Sequence, residues 1–149
     1  MRIDIISIGK LPVLQRKLAD DYCKMIKWKL KETEITYSRK LPETQIKPYE
    51  AKLIYEHLNH GNYKIILDLK GQEITSDGLS RLFKNQMMSG QNVSIVIGGA
   101  FGLDDSVIKM ADFVLKLSEM TFPHSLARLI MLEQIYRAQT ILEAHPYHK

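Results

Sequence analysis

The chain has 149 residues, 45% hydrophobic and 26% charged, with a formal net charge of +4 at pH 7 and a sequence pI of about 9.1. This suits one globular domain spanning residues 1–149, and its mild basicity is compatible with a nucleic-acid partner without demanding one. The lone cysteine, Cys23, excludes an internal disulfide framework and a cysteine metal cluster. No signal-peptide pattern opens the chain and no apolar run approaches the ~20 residues of a membrane span, so a cytoplasmic protein without metal or membrane association is expected.

The β-branched run Ile3 to Ile8, stopped by Gly9, reads as a strand. Pro12 opens a helix to about Lys29, with Leu14, Leu18, Tyr22, Met25 and Ile26 near helical spacing. The same region carries Lys10, Arg16, Lys17, Lys24, Lys27, Lys29 and Lys31, either a solvated helix face or a phosphate-contacting patch. Glu34 to Tyr37 reads as a short strand, Ser38 to Lys47 as a mobile loop, and Pro48 as the start of a helix to about His60. Tyr63 to Leu69 is a strong strand ending at Lys70-Gly71. Thr75 or Ser76 caps the next helix, which ends at Gly90. Val93 to Ile97 is the most continuous β run, as expected of a central parallel strand buried on both faces. A short helix over Asp104 to Met110, a strand ending at Leu117, a helix from Pro123 to Ala144 and the tail His145–Lys149 complete the chain. Strands alternating with helices predict an α/β protein with a mostly parallel sheet and helices on both faces.

Three strand ends carry the candidate site: Leu67-Asp68-Leu69-Lys70-Gly71, Gly98-Gly99-Ala100-Phe101-Gly102, and Leu117 to Phe122. If these strands are parallel neighbours, their carboxyl ends line one crevice. Leu67, Leu117, Met120 and Phe122 would give it apolar walls, and the glycines would let backbone approach a ligand. No phosphate-cradling motif is present, which favours an adenosyl ligand without phosphates over ATP. His124, just past Pro123, is either a ligand-facing group at a helix start or a histidine bonded to its own backbone. The last helix is apolar on more than one side from Leu126 to Leu132, which points to a second copy of the chain as the covering surface. Arg128 within that run needs a carboxylate or phosphate partner.

These motifs, together with Glu133-Gln134-Ile135-Tyr136-Arg137-Ala138 and His145-Pro146-Tyr147-His148-Lys149, resemble the ribosomal RNA large subunit methyltransferase H family, a small branch of the SPOUT methyltransferases. The resemblance spans essentially the whole chain. It implies an α/β knot with a deep C-terminal trefoil crossing, a homodimer, and S-adenosylmethionine as methyl donor. The implied substrate is a pseudouridine in the helix 69 loop of 23S rRNA on the assembled ribosome, methylated at N3. It maps cofactor contacts to Leu67, Gly98, Leu117, Ser118, Glu119, Met120, Thr121 and Phe122. His124 is the candidate base, and Arg128 or Arg137 the candidate to hold a phosphate or the developing anion. Arg137, Tyr147 and His148 are candidate RNA contacts. The alternatives are a SPOUT-type enzyme acting on another RNA and a non-catalytic RNA-binding module in ribosome assembly.

Overall fold

The computed structural model describes residues 1–148. Five strands, β1 (Arg2–Ile8), β2 (Lys29–Ile35), β3 (Tyr63–Gln72), β4 (Val93–Ile97) and β5 (Phe113–Leu115), form one sheet in the order β2-β1-β4-β3-β5, every pair parallel. Parallel neighbours need a crossover, and helices supply it. These are α1 (Val13–Met25), α2 (Glu43–His57), α3 (Ser76–Met88) and α4 (Asp105–Ile108), while α5 (His124–Leu142) follows the last strand.

The strands sort their side chains by parity. Ile3, Ile5, Ile65, Val93, Ile95 and Ile97 face a core completed by Ala19 of α1, Leu79 and Phe83 of α3, and Met131, Leu132, Ile135 and Ala138 of α5. Ile6, Ile8, Ile66 and Val96 face the other side, against Ala51 and Ile54 of α2 and Val107 of α4. Every residue of β4 is buried, as a continuous apolar run between two helix layers requires. Each such isoleucine contributes about 1.5–3 kcal/mol by leaving water. Below this apolar layer, Asn62 donates to Asp4 at 3.1 Å and to Ser94 at 3.0 Å, which partners these two side chains, while the Ser7 hydroxyl of β1 is buried without a partner among the described residues.

Several boundaries differ from the sequence reading. Helix α1 ends at Met25, and Lys29–Ile35 is an edge strand in register with β1 from Arg2↔Lys29 to Ile8↔Ile35. Helix-favouring Lys and Glu side chains take strand geometry because β1 offers a hydrogen-bonding edge. Helix α2 begins at Glu43, with Pro48 inside it, so residues 43–47 of the expected loop are helical. Pro48 lies near enough to the helix start that little of the hydrogen-bond ladder is lost. Strand β5 stops at Leu115. Pro123 is itself the N-cap of α5, with no side-chain cap, and the helix begins at His124. Thr75 caps α3 as expected, accepting from the Gly78 amide at 3.0 Å.

Strand β3 has an irregular end. Leu115 of β5 pairs with both Leu67 and Gln72, so the residues between them leave the ladder as a loop and return to it. At Gly71 any Cβ would lie 2.6 Å from the Val114 carbonyl oxygen, and only glycine lets the two backbones come this close.

Candidate active site at the strand ends

Because all five strands are parallel, the carboxyl ends of β4, β3 and β5 open on one edge of the sheet, the usual place for ligands in an open α/β fold. A cleft of about 760 Å³ lies there, within the range of small-molecule sites. Its floor is Ile97, Leu115 and Ala127. Its walls are the β3 loop from Leu67 to Lys70, the turn from Gly98 to Leu103, and the segment from Leu117 to His124. The apolar side chains come from strand ends and the polar groups largely from backbone. At the first turn of α5, Leu126 and Ala127 both donate to the Pro123 carbonyl, at 3.0 and 2.9 Å, which leaves the amides before them directed out of the helix start.

Of the residues mapped to the cofactor, Leu67, Gly98, Leu117, Ser118, Met120, Thr121 and Phe122 line the cleft. Glu119 does not: its side chain is exposed and pairs with Lys116. The Ser118 hydroxyl accepts from the Met120 amide at 3.0 Å, which fixes the bend of this loop. The glycines act differently from the expectation that they clear space for a ligand. A Cβ on Gly98 would meet Leu103 at 2.8 Å, and one on Gly99 would meet Ile8 at 2.9 Å and both Glu50 carboxylate oxygens at 3.1 Å. They let the turn pack onto its own supports, and the cleft wall is the consequence.

His124 lines the cleft, and its Nε2 lies 3.0 Å from where a Cβ on Gly9 would stand, so the ring rests on the turn that ends β1. Gly9 has φ +87°, a second reason for glycine there. Arg128 is elsewhere, which corrects the expectation that it faces an acceptor. It is 1% exposed and donates from Nε to Glu32 at 3.0 Å and from Nη1 to Glu34 at 2.7 Å. Arg16 reaches the same two glutamates, and Glu34 also accepts from the Leu11 amide at 3.3 Å. Against the upward push of burial, the Leu11 amide hydrogen bond and then Arg128 and Arg16 hold the Glu34 carboxyl below its ordinary range. Cys23, half-buried beside Glu32, has its thiol pushed up to about 12 by burial and by that carboxylate, so it is not a nucleophile.

Arg137, Tyr147 and His148 come together at the far end of α5. Arg137 donates to Glu133 at 2.9 Å and sits 4.8 Å over the Tyr147 ring; His148 lies 3.7 Å from Asp77. Tyr147 packs on Tyr136 with ring centroids 4.7 Å apart and donates to Glu133 at 3.2 Å. Arg137 is thirteen residues beyond His124 on α5, which places it about 20 Å along the helix from the cleft. The structure therefore does not bring this cluster to the cleft of its own chain. Lys149, the end of the tail motif, lies outside the described residues.

The extra apolar face of α5 is largely covered within the chain, since α5 lies between α1 and α3. Ser80 donates to the Ala138 carbonyl at 3.2 Å and Lys27 N–H donates to Gln139 at 2.7 Å, which tie it to both sides. Several lysines and arginines of the basic region are likewise engaged: Arg16 as above, Lys24 with Asp21 at 3.5 Å, and Lys27 with Glu143 at 2.7 Å. Among the described residues no group of three or more His, Cys, Asp or Glu side chains could hold a metal ion. Among them, too, no helix is long and apolar enough to cross a membrane.

A parallel α/β sheet with an apolar-walled cleft over its strand ends defines a small-ligand-binding protein of the α/β class. Residues 1–148 match the family described as "Predicted SPOUT methyltransferase", and the chain belongs to that family. It is similar to a protein from Clostridium perfringens called ribosomal RNA large subunit methyltransferase H 1, 43% identical over 160 aligned positions that cover 100% of both chains. A protein from Ruminiclostridium cellulolyticum called ribosomal RNA large subunit methyltransferase H is 40% identical over 159 positions, again covering 100% of both. Among solved structures, a probable methylase family protein from Haemophilus influenzae superposes with a TM-score of 0.60 at 11% identity, covering 99% of this chain and 70% of that one. A probable methyltransferase from Bordetella pertussis does so with a TM-score of 0.60 at 13% identity, covering 92% and 93%. At such identities the two superpositions bear on the fold alone. The chain is a SPOUT-class methyltransferase enzyme.

Proposed function

We propose that this enzyme methylates N3 of a pseudouridine in the helix 69 loop of 23S rRNA, on the assembled ribosome in the cytoplasm, with S-adenosylmethionine as donor. The observation that carries this reading is the end-to-end similarity to proteins named for large-subunit rRNA methylation, joined to a cleft whose chemistry suits the donor. Apolar walls from Leu67, Leu117 and Phe122, backbone polar groups for an adenine edge, and no phosphate cradle fit an adenosyl group. The amides at the start of α5 suit the donor's carboxylate. When bound, the donor supplies an electrophilic methyl group.

The chain's residues then orient and deprotonate. The turn from Gly98 to Leu103 and the loop from Leu117 to Phe122 fix the methyl position, and orientation of this kind is a large part of catalysis in methyl transfer between bound partners. N3–H of a pseudouridine is an imide proton, and in this reading His124, which lines the cleft, takes it. Exposed Leu69, Phe101 and Met120 form an apolar rim on which an unstacked base can lie.

The active form in this reading is a homodimer. Helix α1 exposes Val13 at 86% and Leu14 at 81%, an apolar face that a second copy covers. A second copy also resolves the position of the tail: Arg137, Tyr147 and His148 of one protomer then serve the RNA bound at its partner's cleft. What supports a C-terminal trefoil knot is the close passage of β5 beneath the β3 loop at Gly71, followed by the return of α5 across the sheet.

The test is methyl transfer from labelled S-adenosylmethionine to 70S ribosomes with and without the helix 69 pseudouridines. Label confined to the pseudouridine-containing ribosomes, and mapped to N3, is expected. Equal labelling of both, or transfer only to another RNA, overturns the substrate assignment.

A further inference from the structure

The cations around the cleft differ from one side to the other. On the β3–β5 side, Lys70 meets Asp105 at 3.2 Å and Lys116 meets Glu119. On the β1–β2 side, Lys10, Arg39 and Lys40 are exposed, and none of the three meets a carboxylate among the described residues.

The backbone brings these three residues to one edge. The Gly9 amide donates to the Ile35 carbonyl at 2.9 Å, so β1 and β2 end side by side, and Lys10 leaves the sheet next to residues 36–40. Gly9 also carries the ring of His124, which lines the cleft, with Nε2 3.0 Å from the Gly9 Cβ position. Lys10 is therefore one residue from the rim. Past β2 the chain has no regular secondary structure, yet aromatic contacts pin it. Tyr37 donates its hydroxyl to Glu50 at 2.6 Å and meets Tyr49 edge-on, ring centroids 5.2 Å apart. Arg39 lies over the Tyr49 ring, 5.9 Å from its centroid. Glu50, in α2, is 5% exposed, and its carboxylate oxygens stand 3.1 Å from the Cβ position of Gly99 in the cleft wall. The exposed Arg39 is thus linked to the cleft wall through two tyrosines and a buried carboxylate.

That arrangement selects its partner by charge. Unpaired cations beside an apolar cleft fit an anion that lies outside the cleft while something apolar enters it. A polynucleotide has this form: a base that enters the cleft leaves its flanking phosphates at the rim. A guanidinium held over an aromatic ring is ordered in advance, which lowers the entropy cost of a later phosphate contact. We propose that Lys10, Arg39 and Lys40 grip the phosphates of the RNA strand flanking the target nucleotide. The proposal rests on the RNA-methylation reading above. It gives the segment after β2 a function, and it places the strand's path across the β1–β2 side of the cleft.

The test is the full-length triple variant Lys10→Gln, Arg39→Gln, Lys40→Gln, with the charge-keeping triple Lys10→Arg, Arg39→Lys, Lys40→Arg beside it. Binding to 70S ribosomes and to protein-free 23S rRNA is followed by sedimentation over a series of salt concentrations. The Gln variant is expected to bind both at least about tenfold more weakly at physiological salt, with the slope of log affinity against log salt reduced by about 2–3. The charge-keeping variant is expected to retain the wild-type slope. Calorimetric affinity for S-adenosylmethionine and Tm are expected to match wild type in both, which shows the cleft intact. An unchanged slope in the Gln variant overturns the proposal, as does a loss seen on ribosomes but absent on bare RNA, which assigns the surface to a ribosomal protein. A wild-type protein that binds neither overturns it too. Binding is read without methyl transfer. A reduced slope on bare RNA from a protein whose wild type labels no pseudouridine therefore rejects the substrate assignment and leaves the phosphate surface standing.

Discussion

Two buried charge clusters flank the sheet, and they are built on opposite rules. On the α5 side, Arg128 and Arg16 meet Glu32 and Glu34, with Leu11 supplying one more hydrogen bond; four charges are gathered and mutually answered. On the α2 side, Glu50 accepts one hydrogen bond, from Tyr37, and its other oxygen has no partner among the described residues. A fully paired cluster locks elements together: here it fastens the edge strand β2, the β1–α1 turn and α5. A buried carboxylate with one open oxygen costs stability where the paired cluster adds it.

The sharpest way to break this contrast is Arg128→Ala. It leaves two glutamates facing a single remaining arginine, and a loss of about 3–5 kcal/mol in urea unfolding is expected. A loss under about 1 kcal/mol would mean the paired cluster is dispensable. His124→Ala is expected to do the reverse, lowering kcat/KM for ribosome methylation at least about 100-fold while changing unfolding free energy by less than about 0.5 kcal/mol. Gly99→Ala inserts a methyl group against Ile8 and the Glu50 carboxylate, so a stability loss of about 1–3 kcal/mol in urea unfolding is expected. The smallest effect is a pH dependence. Because the folded state holds the Glu34 carboxyl low, its contribution is fully present above the unfolded value near 4.3 and disappears as pH falls through the lower folded value. The stability gap between wild type and Glu34→Gln, measured by urea unfolding from pH 7 down to pH 3, should therefore close with acid; a gap that widens contradicts the pairing.

Much of the frame could be read from the chain. Ile3–Ile8, Tyr63–Leu69 and Val93–Ile97 announce buried strands by β-branched density, and the three strand ends that line the cleft were legible because each stops at glycine or at a loop-forming run. Strand β2 was not legible where it begins, because Lys29, Lys31, Glu32 and Glu34 carry no strand signature; β1 imposes it. The start of α2 was masked by Pro48, which reads as a first-turn proline and is not one. Arg128 reads from the sequence as needing a carboxylate or a phosphate; that the partners are Glu32 and Glu34 depends on β2, whose start the sequence hides. Glu50 and Tyr37 gave no signal, since a single Glu in a helix and a Tyr in a loop acquire meaning only when β1 and β4 converge on them.

The place of β4 in the sheet has a consequence for how the protein is made. It is the central strand, yet it is fourth in chain order, hydrogen-bonded to β1 on one side and β3 on the other. As the chain emerges from its N-terminus, β1 and β2 can pair at once, but β3 has no neighbour until Val93–Ile97 arrives. Two exposed apolar strands, β1 and β3, must wait for that wedge, and only then can β5 add to the far edge. Synthesis therefore passes through a long interval in which half the sheet is present and its centre is missing, an interval in which chaperones and slow elongation have the most to offer.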